Sequence, residues 1–257
     1  MFFNNAIVRL PGRSIENGIS SVPELGKPIY EKALKQHADY VQALEKCGIT
    51  VTLLEAMEEF PDSCFVEDTA VLTPNCAIIS RPGAATRQRE SSFILDTIRN
   101  FYTDDQIAYI TAPGTLEGGD VMMVGNHFYV GNSARTNTEG CRQFLEILKH
   151  FGHSCSIVPL SDFLHLKTGL SYLEDNNLLI AGEFAEKSDF KNFNKIFVAK
   201  DELYSANCLW LNGNIIVPTG FEKTTHAIRE LGYTVLQVDT SEYRKIDGGL
   251  SCLSLRF

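Results

Sequence analysis

The chain has 257 residues, of which 44% are hydrophobic and 21% charged, a composition typical of a globular protein with a large core. The formal net charge of −9 disfavours nucleic acid and anionic membranes as partners. No run reaches the roughly 20 apolar residues of a membrane span. The N-terminal residues also lack the basic and apolar segments of a signal peptide.

The cysteine pattern bears on the compartment. Seven cysteines occur without a Cys-x-x-Cys pair or a Cys/His spacing typical of zinc sites. Most lie in apolar runs, where a thiol behaves as a small hydrophobic group. We therefore expect a reducing, cytoplasmic location and neither a metal nor another cofactor. Whether the protein is a monomer or a homodimer stays open.

In chain order, the hydrophobic pattern predicts a unit of strand, loop, hairpin and helix that recurs about five times. After a first strand at residues 6–10, long strands are expected at residues 49–54, 107–110, 155–158, 195–198 and 234–238. Hairpins are expected at residues 69–79, 121–130, around 175–177 and around 212–213. Helices are expected at residues 28–47, 90–101, 138–151 and 224–231, with a short helical stretch near Phe190.

The two ends of the chain complete this pattern. The fifth unit has a single hairpin strand at the C-terminus, while the strand at residues 6–10 has no hairpin partner. Pairing the two closes a ring, which predicts a five-bladed α/β propeller of ββαβ repeats with pseudo-fivefold symmetry. We expect one catalytic domain over residues 1–257. An open α/β sheet with hairpins is the alternative.

Polar residues suited to catalysis fall in one slot of the repeat, the loop between the long strand and the hairpin. A closed ring would bring these loops together at its axis, and with them Cys252, His165, Glu117, Asp68 and Asp62. Each alone has an ordinary structural explanation, because a single cysteine or histidine in an apolar stretch is more often a packing residue. Their shared slot favours a catalytic site.

Several stretches together carry a family resemblance, namely residues 60–68, 112–120, 134–137, 164–170, 206–208 and 239–252. The chain closely resembles the dimethylarginine dimethylaminohydrolases, particularly the bacterial ones, within the guanidino-group-modifying (pentein) superfamily. The resemblance runs nearly end to end and implies a five-bladed α/β propeller with its active site on the axis. It also implies hydrolysis of NG,NG-dimethylarginine and NG-monomethylarginine to citrulline and dimethylamine or methylamine through a covalent cysteine thiouronium.

The resemblance implies a role for each matching position. Cys252 would be the nucleophile, His165 the general acid and base, and Glu117 a catalytic carboxylate that grips the guanidinium together with Asp68. The positions implied to bind substrate are Ile19, Asp62, Phe65, Glu67, Asp68, Arg87, Arg135, Ile246 and Ser251. No metal ligand is implied.

Within that set, Arg87 and Arg135 would hold the substrate α-carboxylate, and Asp62 would hold the α-amine with backbone groups of Ile19 and Ile246. Two positions depart from the bacterial pattern. Gly118 replaces an alanine, from which we expect little effect. Gln88 replaces an arginine, which leaves open which arginine binds the carboxylate.

Three other functions fit parts of the sequence. An arginine or agmatine deiminase would use the same cysteine, histidine and glutamate, although agmatine has no carboxylate for the two arginines. A non-catalytic propeller or, with less support, a metal-dependent hydrolase are the others. Residues 13–27, rich in glycine and serine, are expected to form a lid over the site.

Overall fold

The structure is a computed structural model that describes residues 2–257, and its strands form five three-stranded sheets. In chain order the strands are β1 (Asn5–Arg9), β2 (Thr50–Leu54), β3 (Ala70–Leu72), β4 (Ala77–Ile79), β5 (Ile107–Tyr109), β6 (Val121–Val124), β7 (His127–Asn132), β8 (Ser154–Pro159), β9 (Leu170–Tyr172), β10 (Asn177–Ile180), β11 (Asn194–Phe197), β12 (Leu209–Leu211), β13 (Asn214–Pro218), β14 (Thr234–Val238) and β15 (Leu255–Arg256). The sheets have the orders β15-β1-β2, β3-β4-β5, β6-β7-β8, β9-β10-β11 and β12-β13-β14. In each one, the middle strand pairs antiparallel with the first strand and parallel with the third.

The parallel pairs require crossover connections, which helices provide. The helices are α1 (Tyr30–Lys46), α2 (Leu95–Ile98), α3 (Thr138–His150), α4 (Glu222–Glu230) and α5 (Ser241–Arg244). The first four lie between the middle and outer strands of four sheets. In the sheet of β9 to β11, two 3-10 turns, Gly182–Glu186 and Ser188–Phe190, take this place. The prediction of a short helical stretch near Phe190 is thus confirmed.

Closure of the ring depends on the two chain ends. Ala6 lies opposite Arg256 and Ile7 opposite Leu255 in an antiparallel pair, so the first and last strands share one sheet. The predicted pairing is confirmed, and the fold is the five-bladed α/β propeller of ββαβ units. No helix within residues 2–257 is both long enough and apolar enough to traverse a bilayer.

Helix α1 illustrates how a blade packs. Ala33, Tyr40 and Leu44 are fully buried on one face, as the helical period requires. Gly48 ends the helical segment with a φ of +80°, a conformation that costs glycine little. The Tyr40 hydroxyl lies 2.6 Å from Ser254 Oγ and so fixes the helix to the chain just before β15.

The first strand of each sheet lies nearest the axis. Residues of β3, β6, β9, β12 and β15 together line an axial cavity of about 140 Å³. Because each of these strands follows a slot loop, the slot loops meet at one end of this cavity. The sequence-predicted functional residues are therefore carried to one place by the fold itself.

Two predicted elements differ from the structure. The helix expected at residues 90–101 is a 3-10 turn, Glu90–Phe93, followed by α2 alone. Glu90 turns inward to the Arg87 guanidinium, and Ser92 Oγ donates to the carbonyl of Arg89, so side chains compete with helical bonding. The alternation of Leu253, Leu255 and Phe257 with polar residues predicts a closing strand from Leu253 onward, but Ser251–Leu253 forms a 3-10 turn and the strand is Leu255–Arg256 alone.

Candidate active site

Two adjoining cavities, of about 50 and 30 Å³, lie where the slot loops converge, and both are lined by His165, Asp247 and Cys252. Most of the sequence-predicted residues line one of them: Ile19, Asp62, Phe65, Asp68, Arg87, Glu117, Arg135, Ile246 and Ser251. Glu67 does not, since its side chain lies below, at the axial cavity. The prediction that distant loops meet is confirmed by this geometry, while the roles of the residues remain to be tested.

Cys252 sits in the turn Ser251–Leu253, directly after two glycines, and is partly exposed. The Gly249 N–H points at its sulfur at 3.4 Å. Burial raises the pKa of the Cys252 thiol to about 12, and the carboxylates of Glu67 and Asp68 act in the same direction. These surroundings favour the neutral thiol over the thiolate at physiological pH.

His165 and Glu117 form a buried pair, with Nε2 of the ring 2.6 Å from Oε2 of the carboxylate. A Cβ on Gly119 would lie 2.7 Å from His165 Nδ1, so a glycine there makes room for the ring. Burial opposes charge on the imidazole, but Asp120 and Glu117 raise the pKa of His165 above its usual range. Burial likewise opposes charge on Glu117, yet its bond to His165 lowers that pKa. The pair is an imidazolium and a carboxylate.

Asp68 is the second buried carboxylate. Its Oδ1 accepts the Gly119 N–H at 3.0 Å, and its Oδ2 accepts Arg87 Nη1 at 2.7 Å. One ligand atom each from Asp68, Glu117 and His165 lie within 4.8 Å of one another, a spacing that could hold a metal ion. Since each carboxylate oxygen accepts about two hydrogen bonds, both acids also retain lone pairs for a planar cation with N–H donors.

The two arginines differ in how fully they are engaged. Arg87 is 5% exposed, and its guanidinium donates to Glu90, to Asp68 and to the backbone carbonyl of Phe65. Burial opposes its charge, but Glu90 and Asp68 hold the pKa of Arg87 well above its usual value. Arg135 is more exposed, with a 3.4 Å contact to Glu117 Oε1. Arg135 is thus the arginine with donors to spare.

The segment at residues 13–27 lies against the smaller cavity. Asp62 Oδ1 accepts the Ile19 N–H at 3.0 Å, which places a buried carboxylate beneath the tip of this segment. Burial raises the pKa of Asp62. Asp247 accepts hydrogen bonds from both Ser21 N and Ser21 Oγ at 2.7 Å. These contacts join the segment to the loop that carries Cys252, and its motion as a lid remains a prediction.

Two polar residues of the slot loops were not assigned a role from the sequence. Asn207 bonds to Ser251, and Lys167 bonds to Glu67, so both support the turn that carries Cys252. Asn207 occupies the same slot as the predicted catalytic residues, and that position was the available signal. Lys167 lies in the resemblance stretch at residues 164–170, but nothing local marks its partner, which is 100 residues away.

The two departures from the bacterial pattern have different consequences. A Cβ on Gly118 would lie 2.0 Å from the backbone oxygen of Glu67. The expectation that this departure has little effect on function stays a prediction. An alanine at this position requires the backbone to shift. Gln88 accepts a hydrogen bond from Arg81 Nη2 at 3.1 Å, whereas Arg87 lines the cavity.

Comparison with known proteins agrees with this geometry. Residues 17–159 match the family model of eukaryotic N,N dimethylarginine dimethylhydrolase. The chain is 54% identical over 255 residues to the N(G),N(G)-dimethylarginine dimethylaminohydrolase of Pseudomonas aeruginosa, covering 99% of this chain and 100% of that one. It is 31% identical to the Streptomyces coelicolor enzyme of the same name, covering 98% and 96%. The crystal structure of a Pseudomonas aeruginosa Cys-to-Ser mutant with citrulline superimposes over 100% of both chains with a TM-score of 0.98 and 53% identity. The chain therefore belongs to the dimethylarginine dimethylaminohydrolase family.

Proposed function

We propose that this chain hydrolyses NG,NG-dimethylarginine and NG-monomethylarginine to citrulline, releasing dimethylamine or methylamine. The observation that carries the proposal is a thiol, an imidazolium and two buried carboxylates around one cavity, with Cys252, His165, Glu117 and Asp68 as those groups. The citrulline complex of the Pseudomonas aeruginosa relative supports it independently.

The charges of the cavity suit an amino acid with a cationic side chain. Four carboxylates line its smaller part, those of Asp62, Asp68, Glu117 and Asp247, against the two arginines Arg87 and Arg135. Asp68 and Glu117 would hold the guanidinium plane by charge-assisted hydrogen bonds. Arg135 would bind the α-carboxylate. Asp62 and the backbone at Ile19 and Ile246 would bind the α-amine, with Phe65 packed alongside.

The reaction follows from these positions. The Cys252 thiol loses its proton to solvent as the cationic substrate binds, and the resulting thiolate attacks the guanidinium carbon, whose delocalised charge the two carboxylates localise and orient. The tetrahedral adduct collapses as its bond to the methylated nitrogen breaks, and His165 gives the departing amine its proton. Water then attacks the thiouronium carbon while His165 takes up a proton. The carbon–sulfur bond breaks, leaving citrulline and a free thiol.

Two rival substrates differ from methylarginine in ways that the site can distinguish. Agmatine has no carboxylate, so Arg135 would have no partner in its complex. Arginine has the carboxylate but would release ammonia. The test compares formation of citrulline from dimethylarginine and from arginine, and of N-carbamoylputrescine from agmatine, at equal substrate concentration, with Cys252→Ser as control. We expect the wild type, but not Cys252→Ser, to form citrulline from dimethylarginine. Equal turnover of agmatine, or activity in Cys252→Ser, would refute the proposal.

We further infer a cytoplasmic enzyme whose partner is a small guanidino substrate. The seven cysteines support the location, because all are free and a reducing compartment keeps them so. A monomer and a homodimer remain alternatives. Light scattering of the purified protein separates the two. Retention of activity in a reducing cell extract, and its absence from an oxidising periplasmic one, tests the compartment.

A further inference from the structure

Beneath the predicted nucleophile, four side chains from four different slot loops form a closed ring of hydrogen bonds. Lys167 Nζ donates to Glu67 Oε1 at 2.5 Å, and Ser251 Oγ donates to Glu67 Oε2 at 2.8 Å. Asn207 Nδ2 donates to Ser251 Oγ at 2.9 Å and to the Lys167 carbonyl at 2.8 Å. The Ser251 N–H donates to Asn207 Oδ1 at 2.9 Å, which closes the ring. The ring thus fixes Lys167 relative to the residue that precedes Cys252.

Glycines allow this ring to close beside the nucleophile turn. A Cβ on Gly249 would lie 2.6 Å from Asn207 Oδ1, so a larger residue there would displace the amide. Glu67, Asn207 and Ser251 are all buried, which makes their hydrogen bonds costly to leave unmade. The ring is therefore a rigid support, and a group attached to it keeps a fixed distance from Cys252.

The ring and the adjoining Arg256 together carry an excess of positive charge. Glu67 Oε1 accepts from Arg256 Nη2 at 2.6 Å as well as from Lys167, so one carboxylate stands between two cations. Burial opposes ionisation of Glu67, but Lys167 and Arg256 lower its pKa below the usual value. The three groups together carry one positive charge in a water-poor interior, where charges act more strongly than in solvent.

Of these two cations, Lys167 is the one at the reaction site. Lys167 lines both the larger catalytic cavity, together with His165 and Cys252, and the axial cavity below it, whereas Arg256 lines the axial cavity. The titratable groups near the sulfur are Glu67, Asp68, His165, Lys167, Tyr204 and Asp247. Lys167 opposes the rise that burial and the two carboxylates produce in the pKa of Cys252.

We propose that Lys167 is a positioning residue for the nucleophile, held by the ring so that its ammonium stabilises the Cys252 thiolate as it forms. This inference rests on the proposed function for its catalytic meaning. The ammonium donates to Glu67 and acts on the sulfur through its charge. Loss of its charge would reduce the thiolate fraction, while loss of the Glu67 charge would increase it.

The test is the rate of Cys252 alkylation by iodoacetamide, a neutral reagent, followed as a function of pH by mass spectrometry of the Cys252 peptide. This measurement does not require the enzyme to turn over a substrate. The proposed function is tested separately, because it fails if the wild type forms no citrulline from dimethylarginine. Lys167→Met is expected to slow alkylation about tenfold at any pH below the inflection, one pKa unit. Lys167→Arg, which keeps the charge, should restore most of that loss, and Glu67→Gln should accelerate alkylation.

The matched control is Lys223→Met, which removes an exposed lysine paired with Asp201 and should leave the rate unchanged. Thermal unfolding of every variant checks that it is folded. The proposal is overturned if Lys167→Met is alkylated at the wild-type rate, or if Lys223→Met slows alkylation as much as Lys167→Met does. If Lys167→Met fails to fold, Glu67→Gln decides, because a rate equal to or below that of the wild type contradicts the assigned charge balance.

Discussion

Arg87 and Arg135 line the same cavity, yet their surroundings predict opposite consequences for replacement by methionine. Removing the Arg87 guanidinium leaves the carboxylates of Glu90 and Asp68 unpaired, and these are 3% and 2% exposed. Breaking a buried ion pair on one side costs about 3–5 kcal/mol. Arg87→Met should therefore lower the unfolding free energy by that amount, measured by urea denaturation.

Replacement of Arg135 should affect binding instead. Its side chain is 18% exposed, its contact with Glu117 is long at 3.4 Å, and Glu117 keeps its bond to His165 without it, so Arg135→Met should change the unfolding free energy by only about 1 kcal/mol. A charge-assisted hydrogen bond to the substrate carboxylate is worth about 1.5–3 kcal/mol, or about 10- to 150-fold in kcat/KM. For dimethylagmatine, which has no carboxylate, kcat/KM should be almost the same in Arg135→Met as in the wild type.

Paired assays separate the two arginines. Urea denaturation gives stability, and kcat/KM for dimethylarginine against dimethylagmatine gives carboxylate recognition. Arg89→Met is the matched control, since Arg89 is exposed and paired with Glu59 at the surface. The reasoning is refuted if Arg87→Met unfolds at the wild-type midpoint. An unchanged substrate preference in Arg135→Met would refute it as well.

Three further outcomes follow from buried contacts. The pKa of His165 is raised in the folded state, so the protonated ring stabilises the fold fully below about pH 6.5, and this stabilisation is lost as the pH rises through the raised pKa. Between pH 6 and pH 10 the unfolding free energy of the wild type should therefore fall by on the order of 1–3 kcal/mol more than that of His165→Gln. Equal decreases in the two proteins would contradict this prediction. Gly118→Ala should cost about 1–3 kcal/mol because its Cβ meets the Glu67 carbonyl, and an unchanged urea midpoint would count against that clash. Asn207→Ala should lower kcat more than it changes KM, because the Ser251 N–H loses its acceptor; steady-state citrulline assays with unaltered kcat would exclude this role.

The sequence predicts the ring because its signals are local and repeated. Each helix stop, such as Phe151 before Gly152, and each turn, such as Gly125-Asn126, acts over a few residues. Five such units leave one unpaired strand at each end, which is sufficient to predict the contact of Ile7 with Leu255. The same logic brings the slot loops together and with them the predicted catalytic residues.

The repeat pattern does not predict which buried side chains form ion pairs. Glu67 and Asp68 are neighbours in sequence, yet one turns to Lys167 below the cavity and the other to Arg87 beside it. Which way each carboxylate points depends on cations that arrive from other loops. The prediction of a helix at residues 90–101 was wrong for the same reason. Glu90 turns inward to pair with the Arg87 guanidinium, and local helix propensity takes no account of that contact.

The charge states of the site indicate how substrate binding would activate it. The imidazolium of His165 is held by Glu117 and burial favours the protonated Cys252 thiol, the wrong pair of states for attack. A guanidinium placed between Asp68 and Glu117 competes with His165 for Glu117 and adds a positive charge near the sulfur. The first effect makes His165 a stronger acid toward the departing amine, and the second favours the thiolate. A neutral urea such as citrulline supplies neither, so a site that holds its substrate through the predicted carboxylates Asp68 and Glu117 would stay inactive toward its product.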